Sequence, residues 1–166
     1  MIKKKICMLG AFAVGKTSLV QQFVHSIFSN RYQTTVGVKI DKKSIDLNRT
    51  TMDLILWDLN GEDEFQEVRP SYLRGSSGCL YVIDGTRSAT AETADRLYHK
   101  AISTIGKVPT VFVINKQDLS REWEINQDLI TSFKERGENI IMTSAKTGQG
   151  VDTAFLTLAE LMLARH

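Results

Sequence analysis

Four apolar runs set the limits on what this chain can become: Ile6–Leu9, Cys79–Ile83, Thr110–Ile114 and Asn139–Thr143. They are short and rich in β-branched or aromatic side chains, which suits strands covered on both faces. Helical repeats lie between and after them. Ala94, Leu97, Tyr98, Ala101, Ile102 and Ile105 recur at helical spacing, and Val151, Phe155, Leu158 and Met162 do so near the C-terminus. Strands alternating with helices predict a parallel sheet with helices on its faces. Two segments differ. Val38–Leu47 and Thr51–Leu59 alternate in polarity, and Asn48-Arg49-Thr50 between them reads as a hairpin turn. The expected fold is therefore α/β: a mostly parallel six-stranded sheet with one antiparallel edge strand and helices on both faces. We place all of residues 1–166 in one domain, since no linker or repeat divides them.

Bulk properties narrow the function classes. A hydrophobic fraction of 42% and a charged fraction of 24% are ordinary for a globular chain. The net charge of +2 is too small to point to nucleic acid as a partner. Cys7 and Cys79 sit inside apolar runs and read as reduced core residues of a cytoplasmic protein. No apolar stretch nears the ~20 residues that span a bilayer, and the N-terminus does not resemble a signal peptide. The final residues Leu163-Ala164-Arg165-His166 offer no cysteine for prenylation. We therefore expect no intrinsic lipid anchor, and only peripheral membrane association, through partners or a missing tail. Lys3-Lys4-Lys5 reads as a solvated strand start rather than a lipid contact. The three histidines lack ligand spacing.

In sheets of this class ligands bind beyond the carboxyl ends of the strands. There the stretch Gly10 to Ser18, GAFAVGKTS, follows the first run. Its Gly10-x-x-x-x-Gly15-Lys16-Thr17 spacing fits the phosphate-binding loop in full. The glycines let the backbone wrap an anion with successive N–H groups inward, which makes Ala13, Val14, Gly15, Lys16, Thr17 and Ser18 the candidate contacts. Lys16 adds a positive charge for the outer phosphates. The Thr17 hydroxyl can ligate Mg²⁺, and the helix starting near Gly15 aims its positive end at the same place.

Two further stretches address the base. Asn115-Lys116-Gln117-Asp118 follows the third run, and Ser144-Ala145-Lys146 follows the fourth. With the phosphate loop they resemble the guanine-specificity motifs of the Ras superfamily of small GTPases, in order and spacing and over essentially the whole chain. Trp57-Asp58 and Thr34-Thr35-Val36-Gly37 look Rab-like, whereas the Asn-Lys-Gln-Asp wording looks closer to the Arf branch. The resemblance implies a P-loop G domain that binds GTP or GDP with Mg²⁺ and hydrolyses GTP as a conformational switch. It implies that Asp118 accepts from guanine N1–H and the 2-amino group, a pair adenine lacks. Asn115 would brace the phosphate loop, and the stems of Lys116 and Lys146 would pack along the base. The Ala145 N–H would donate to guanine O6, with Ser144 beside it. Phe28 matches the aromatic that packs edge-on to the base, although it also suits a core position.

By the same resemblance Thr35 reaches Mg²⁺ only when a γ-phosphate is present, with Thr34 able to take its part. Asp58 holds the metal through water, and Gly61 contacts the γ-phosphate. Effectors, an exchange factor and a GTPase-activating protein would engage these switch loops and the edge strand from Val38.

The chain departs from the family pattern at Phe12 and where the family writes Asp-Thr-x-Gly-Gln, since Asp58-Leu59-Asn60-Gly61-Glu62 stands there. Glu62 stands where the family places its water-positioning glutamine, and an ionised carboxylate cannot donate toward a phosphate. Like charges should raise its pKa or drive it from the site, so hydrolysis should be slow or pH-sensitive; a carboxylate could also act as a general base. Phe12 occupies a position that the family keeps small. Its ring would exclude an inserted arginine finger or fold onto the switch loops. The alternative to a GTPase is thus a GTP-binding adaptor with little or no hydrolysis. An adenine-nucleotide enzyme is disfavoured by Asp118. Trp123 reads as a packing residue near a helix start in preference to an exposed partner contact.

Overall fold

In chain order the elements are β1 (Ile2–Gly10), α1 (Lys16–His25), β2 (Val38–Leu47), β3 (Thr50–Leu59), the short α2 (Pro70–Leu73), β4 (Gly78–Asp84), α3 (Ala89–Ile105), β5 (Thr110–Asn115), α4 (Gln127–Glu135), β6 (Asn139–Met142) and α5 (Val151–Ala164). A 3₁₀ turn at Gln117–Glu122 follows β5. This is a computed structural model, and it describes residues 2–29, 37–59 and 67–165. The sheet order is β2-β3-β1-β4-β5-β6. Only the β2–β3 pair is antiparallel, and the other four pairings are parallel. The expected six strands, antiparallel edge and two helical layers are all present.

Period-two alternation divides the core. From β1, Ile6 and Met8 face the layer of α1 and α5, whereas Cys7 and Leu9 face the layer of α3 and α4. In the first layer Phe23 stacks on Phe155, with centroids 4.1 Å apart. In the second, Phe112 lies 5.0 Å from Tyr81 and 4.7 Å from Phe133. Both cysteines are buried and free, as expected of core thiols. Burial pushes the Cys79 thiol up to about 12, which keeps it protonated and inert.

The start of β1, the hairpin turn and helix α4 differ from the sequence expectation, each for a local reason. β1 begins at Ile2 because its pairing with β3 runs from Ile2↔Met52 to Met8↔Asp58. Lys5 is consequently not a solvated strand start: its ammonium lies 3.6 Å from the Trp57 ring centroid and donates to the Arg74 carbonyl at 2.8 Å. The hairpin turn is two residues, Asn48-Arg49, both with positive φ. That mirror-image turn follows the twist of the hairpin, and Thr50 is drawn into the ladder opposite Leu47. Helix α4 has a weak sequence signature, since it buries only Ile130 and Phe133; Asn126 caps it by accepting from Leu129 N–H at 3.0 Å. None of the described helices is long and apolar enough to cross a membrane.

The topology gathers one end of the molecule. β1 leaves Gly10 there, β4 leaves Asp84, β5 leaves Asn115 and β3 leaves Asp58. β1 and β4 are adjacent, but the chain turns from them to opposite halves of the sheet. The crevice between such strands is where this class of sheet takes its ligand.

Candidate functional site

The loop from Gly10 to Gly15 joins β1 to α1, and its backbone is shaped by contacts that side chains would obstruct. A Cβ on Gly10 would lie 2.6 Å from the Val82 carbonyl oxygen. Gly15 has φ +102°, and a Cβ there would meet Asn115 Nδ2 at 2.3 Å. Helix α1 starts at Lys16 with no side-chain cap and no acidic residue in its first turn, so its positive end is not neutralised locally. Val14 has its side chain in the core, and Ser18 is half-buried in the first helical turn.

Lys16 is only 6% exposed. Its ammonium donates to the carbonyls of Gly10 and Ala11 at 3.2 and 2.9 Å. Burial lowers its pKa to about 8; the nearby Asp58 charge works against this and Arg87 adds to it. A desolvated cation at a helix start is suited to phosphate oxygens. Beside it Thr17 Oγ1 donates to Asp58 Oδ2 at 2.5 Å, and Asp58 is buried at the end of β3. One hydroxyl and one carboxylate are hard oxygen donors of the kind Mg²⁺ takes. No cluster of three or more His, Cys, Asp or Glu suited to a metal occurs among the described residues. The donor set therefore fits a cation shared with phosphate oxygens rather than an all-protein cage.

The base end is built on Asn115. Its Nδ2 donates to the Val14 carbonyl at 3.0 Å, while its Oδ1 accepts from Thr143 Oγ1 at 3.1 Å and from Ala145 N–H at 3.2 Å. One amide thus ties the phosphate loop, β5 and the segment after β6. A base carbonyl would share the Ala145 donor with Asn115. Ser144 is buried and donates to Asp118 Oδ1 at 2.7 Å. Asp118 itself is exposed, so the burial that would sharpen discrimination must come from the base. Lys116, in the left-handed region at φ 71°, donates to the Ala13 carbonyl at 3.1 Å. Lys146 is exposed. Phe28 is 38% exposed and joins neither hydrophobic layer, which removes the core alternative.

Thr34, Thr35, Gly61 and Glu62 lie outside the described residues. Phe12 is 37% exposed, with its carbonyl accepting from Arg87 at 2.7 Å. Trp123 packs over Gly85, where a Cβ would come within 2.0 Å of the indole ring.

Sequence reasoning missed three residues at this end. Gln22 Nε2 donates to the Ala145 carbonyl at 2.8 Å, tying α1 to the base segment. Asp84 and Arg87 border the phosphate loop. The available signal was positional: Asp84 ends a parallel strand in register with Asn115.

The Ras family profile matches residues 5–164. The chain is 35% identical to the Ras-related protein Rab-7b of Mus musculus, covering 98% of this chain and 83% of that protein. It is 34% identical to the Homo sapiens protein of the same name over the same shares. Ras-related protein Rab-7L1 of Rattus norvegicus is 35% identical, covering 96% of this chain and 81% of its own length.

Proposed function

Because the chain belongs to the Ras family of small GTPases, a Rab-like group of guanine-nucleotide-dependent switches, we propose specific roles for its site residues. The main-chain amides of Ala13 to Ser18 and the Lys16 ammonium hold the phosphates. Thr17 and Asp58 would hold Mg²⁺, the second through water, and Thr35 would join them when a γ-phosphate is present. The metal supplies charge neutralisation between the outer phosphates. Gly61 contacts the γ-phosphate. Asp118 selects guanine, with Asn115, Ser144 and Ala145 shaping its slot and with Phe28, Lys116 and Lys146 lining the base.

The observation that carries this reading is the bond from Asn115 Nδ2 to the Val14 carbonyl at 3.0 Å, which sets the base corner at a fixed offset from the phosphate loop. A ligand that spans both must carry a base and a polyphosphate. The test is displacement of a fluorescent GDP from the purified chain. Unlabelled GDP should compete at least 10³-fold better than ADP, since a site built to hydrogen-bond one base rejects another by roughly 10⁴. Equal competition by ADP overturns the reading.

GTPase activity belongs to the family; its rate in this chain turns on Glu62. We assign Glu62 the position beside the attacking water, where its charge slows hydrolysis near neutral pH. Single-turnover phosphate release should quicken in Glu62→Gln, and an unchanged rate and pH profile would remove Glu62 from catalysis. A second reading, a GTP-binding adaptor that scarcely hydrolyses, is favoured by the same carboxylate and by the partly exposed Phe12 ring. It predicts no phosphate release over many hours with GTP still bound. In either case effectors and regulators would meet the switch loops and the outer edge along β2.

A further inference from the structure

Asp84 is fully buried, yet it sits in contact with two cations. Its Oδ2 accepts from Lys116 Nζ at 2.8 Å and from Arg87 Nε at 2.9 Å. Its Oδ1 accepts from the Thr86 N–H at 2.8 Å and the Thr86 hydroxyl at 2.7 Å. Each cation then reaches onward to the phosphate loop: Arg87 donates to the Phe12 carbonyl at 2.7 Å, and Lys116 to the Ala13 carbonyl at 3.1 Å. Between these two anchored carbonyls lies Ala13, whose φ of 62° places an L-residue in the left-handed region. A side chain there is unfavourable by about 1–2 kcal/mol. Such a conformation persists only where its surroundings over-determine it. Burial would push the Asp84 carboxyl up, but Lys116, Thr86 and Arg87 together hold it below the usual carboxylate range.

We infer that Asp84 and Arg87 are positioning residues: the carboxylate seats two cations that pin consecutive carbonyls of the phosphate loop and hold Ala13 in its left-handed conformation. The clasp rests on the reading of Gly10–Ser18 as a phosphate cradle and adds to it. It links the base segment at Lys116 with the loop amides, so retention of a nucleotide depends on residues that need not touch it. Arg87 suits the part because its guanidinium is a planar fork: one N–H meets the carboxylate while another meets the carbonyl.

The test uses the full chain loaded with fluorescent GDP and Mg²⁺, following release into excess GDP. Arg87→Gln should release nucleotide roughly tenfold faster, the effect of losing a charged hydrogen bond. Asp84→Asn should exceed that, and the double variant should fall short of the product of the two, because both act through one clasp. Arg87→Lys keeps the charge without the fork and should behave like Arg87→Gln. Because Arg87 is partly exposed, its variants should fold even if Asp84→Asn does not. Adding Ala13→Gly, which adopts positive φ without strain, should shrink the Arg87→Gln effect to a few-fold. Wild-type release from Arg87→Lys alongside fast release from Arg87→Gln would reduce the role to through-space charge and overturn the inference. An undiminished effect in the Ala13→Gly background would overturn it too. Wild-type protein that fails to retain GDP at all would instead overturn the cradle reading beneath it.

Discussion

The two ends of the site are finished to different degrees. At the base end the side chains that would face the base are tied together: a single amide of Asn115 serves three partners and Ser144 holds Asp118. At the phosphate end a buried ammonium donates to two main-chain carbonyls, and burial lowers its pKa to about 8 against the pull of Asp58. The base corner is pre-formed, as specificity requires. The phosphate cradle carries a positive charge that the nearby Asp58 carboxylate offsets only in part, and anionic oxygens would relieve it further. In a switch of this family that division is sensible: selection of guanine is constant, whereas the phosphate count is the signal.

The comparison can be broken most forcefully at Asp118. Asp118→Ala should weaken GDP by about 10²–10⁴-fold, the loss of two charge-assisted hydrogen bonds. Its melting temperature without nucleotide should fall only slightly, since the carboxylate is exposed and the Ser144 hydroxyl that loses its acceptor still accepts from Thr147 N–H. A comparable loss of stability would mean that the carboxylate is structural. Asn115→Ala should do both kinds of damage, because it strands the buried Thr143 hydroxyl. We expect a stability loss of roughly 2–4 kcal/mol in urea unfolding, together with weakened binding.

The phosphate end is sharpened by pH. Between about pH 8 and the ordinary lysine value of 10.5 the unfolded chain holds a proton on residue 16 that the folded chain releases. Stability therefore rises with pH across that window and levels off below it, where both states are protonated. For nucleotide-free protein the gain should approach roughly 3 kcal/mol. Binding of GDP above pH 8 should take up a proton, readable by calorimetry in buffers of different ionisation heat. A flat stability profile with Lys16 intact would contradict the buried-charge account. The smallest effect is expected at Phe28, where loss of base contact in Phe28→Ala should speed GDP release about tenfold, in line with other aromatic–base contacts. A fall in nucleotide-free stability above 1.5 kcal/mol would place the ring in the core after all.

Much of the site was readable in the linear sequence because its parts are local. Gly10 to Ser18 is one continuous loop, and the spacing of Gly10, Gly15, Lys16 and Thr17 carries its own chemistry. Asn115, Asp118 and Ser144 each follow an apolar run, so a parallel sheet must bring them to one end. Helix α4 was hidden because two buried apolar residues make too faint a stripe. The lysines at the start of β1 looked like a solvated prelude, since their polarity conceals the pairing with β3.

Periodicity and short-range spacing are properties of a string, and they pointed to the α/β class, the antiparallel edge and the phosphate loop; the expectation of guanine came from the resemblance to the Ras superfamily. Only the folded chain decided that Asp84 and Arg87 belong to the cradle, that Lys16 is stripped of water, and that Phe28 lies outside the core. Those facts depend on which distant segments meet: Arg87 reaches a carbonyl 75 positions away. Burial and long-range charge are set by tertiary packing, and no local pattern encodes them.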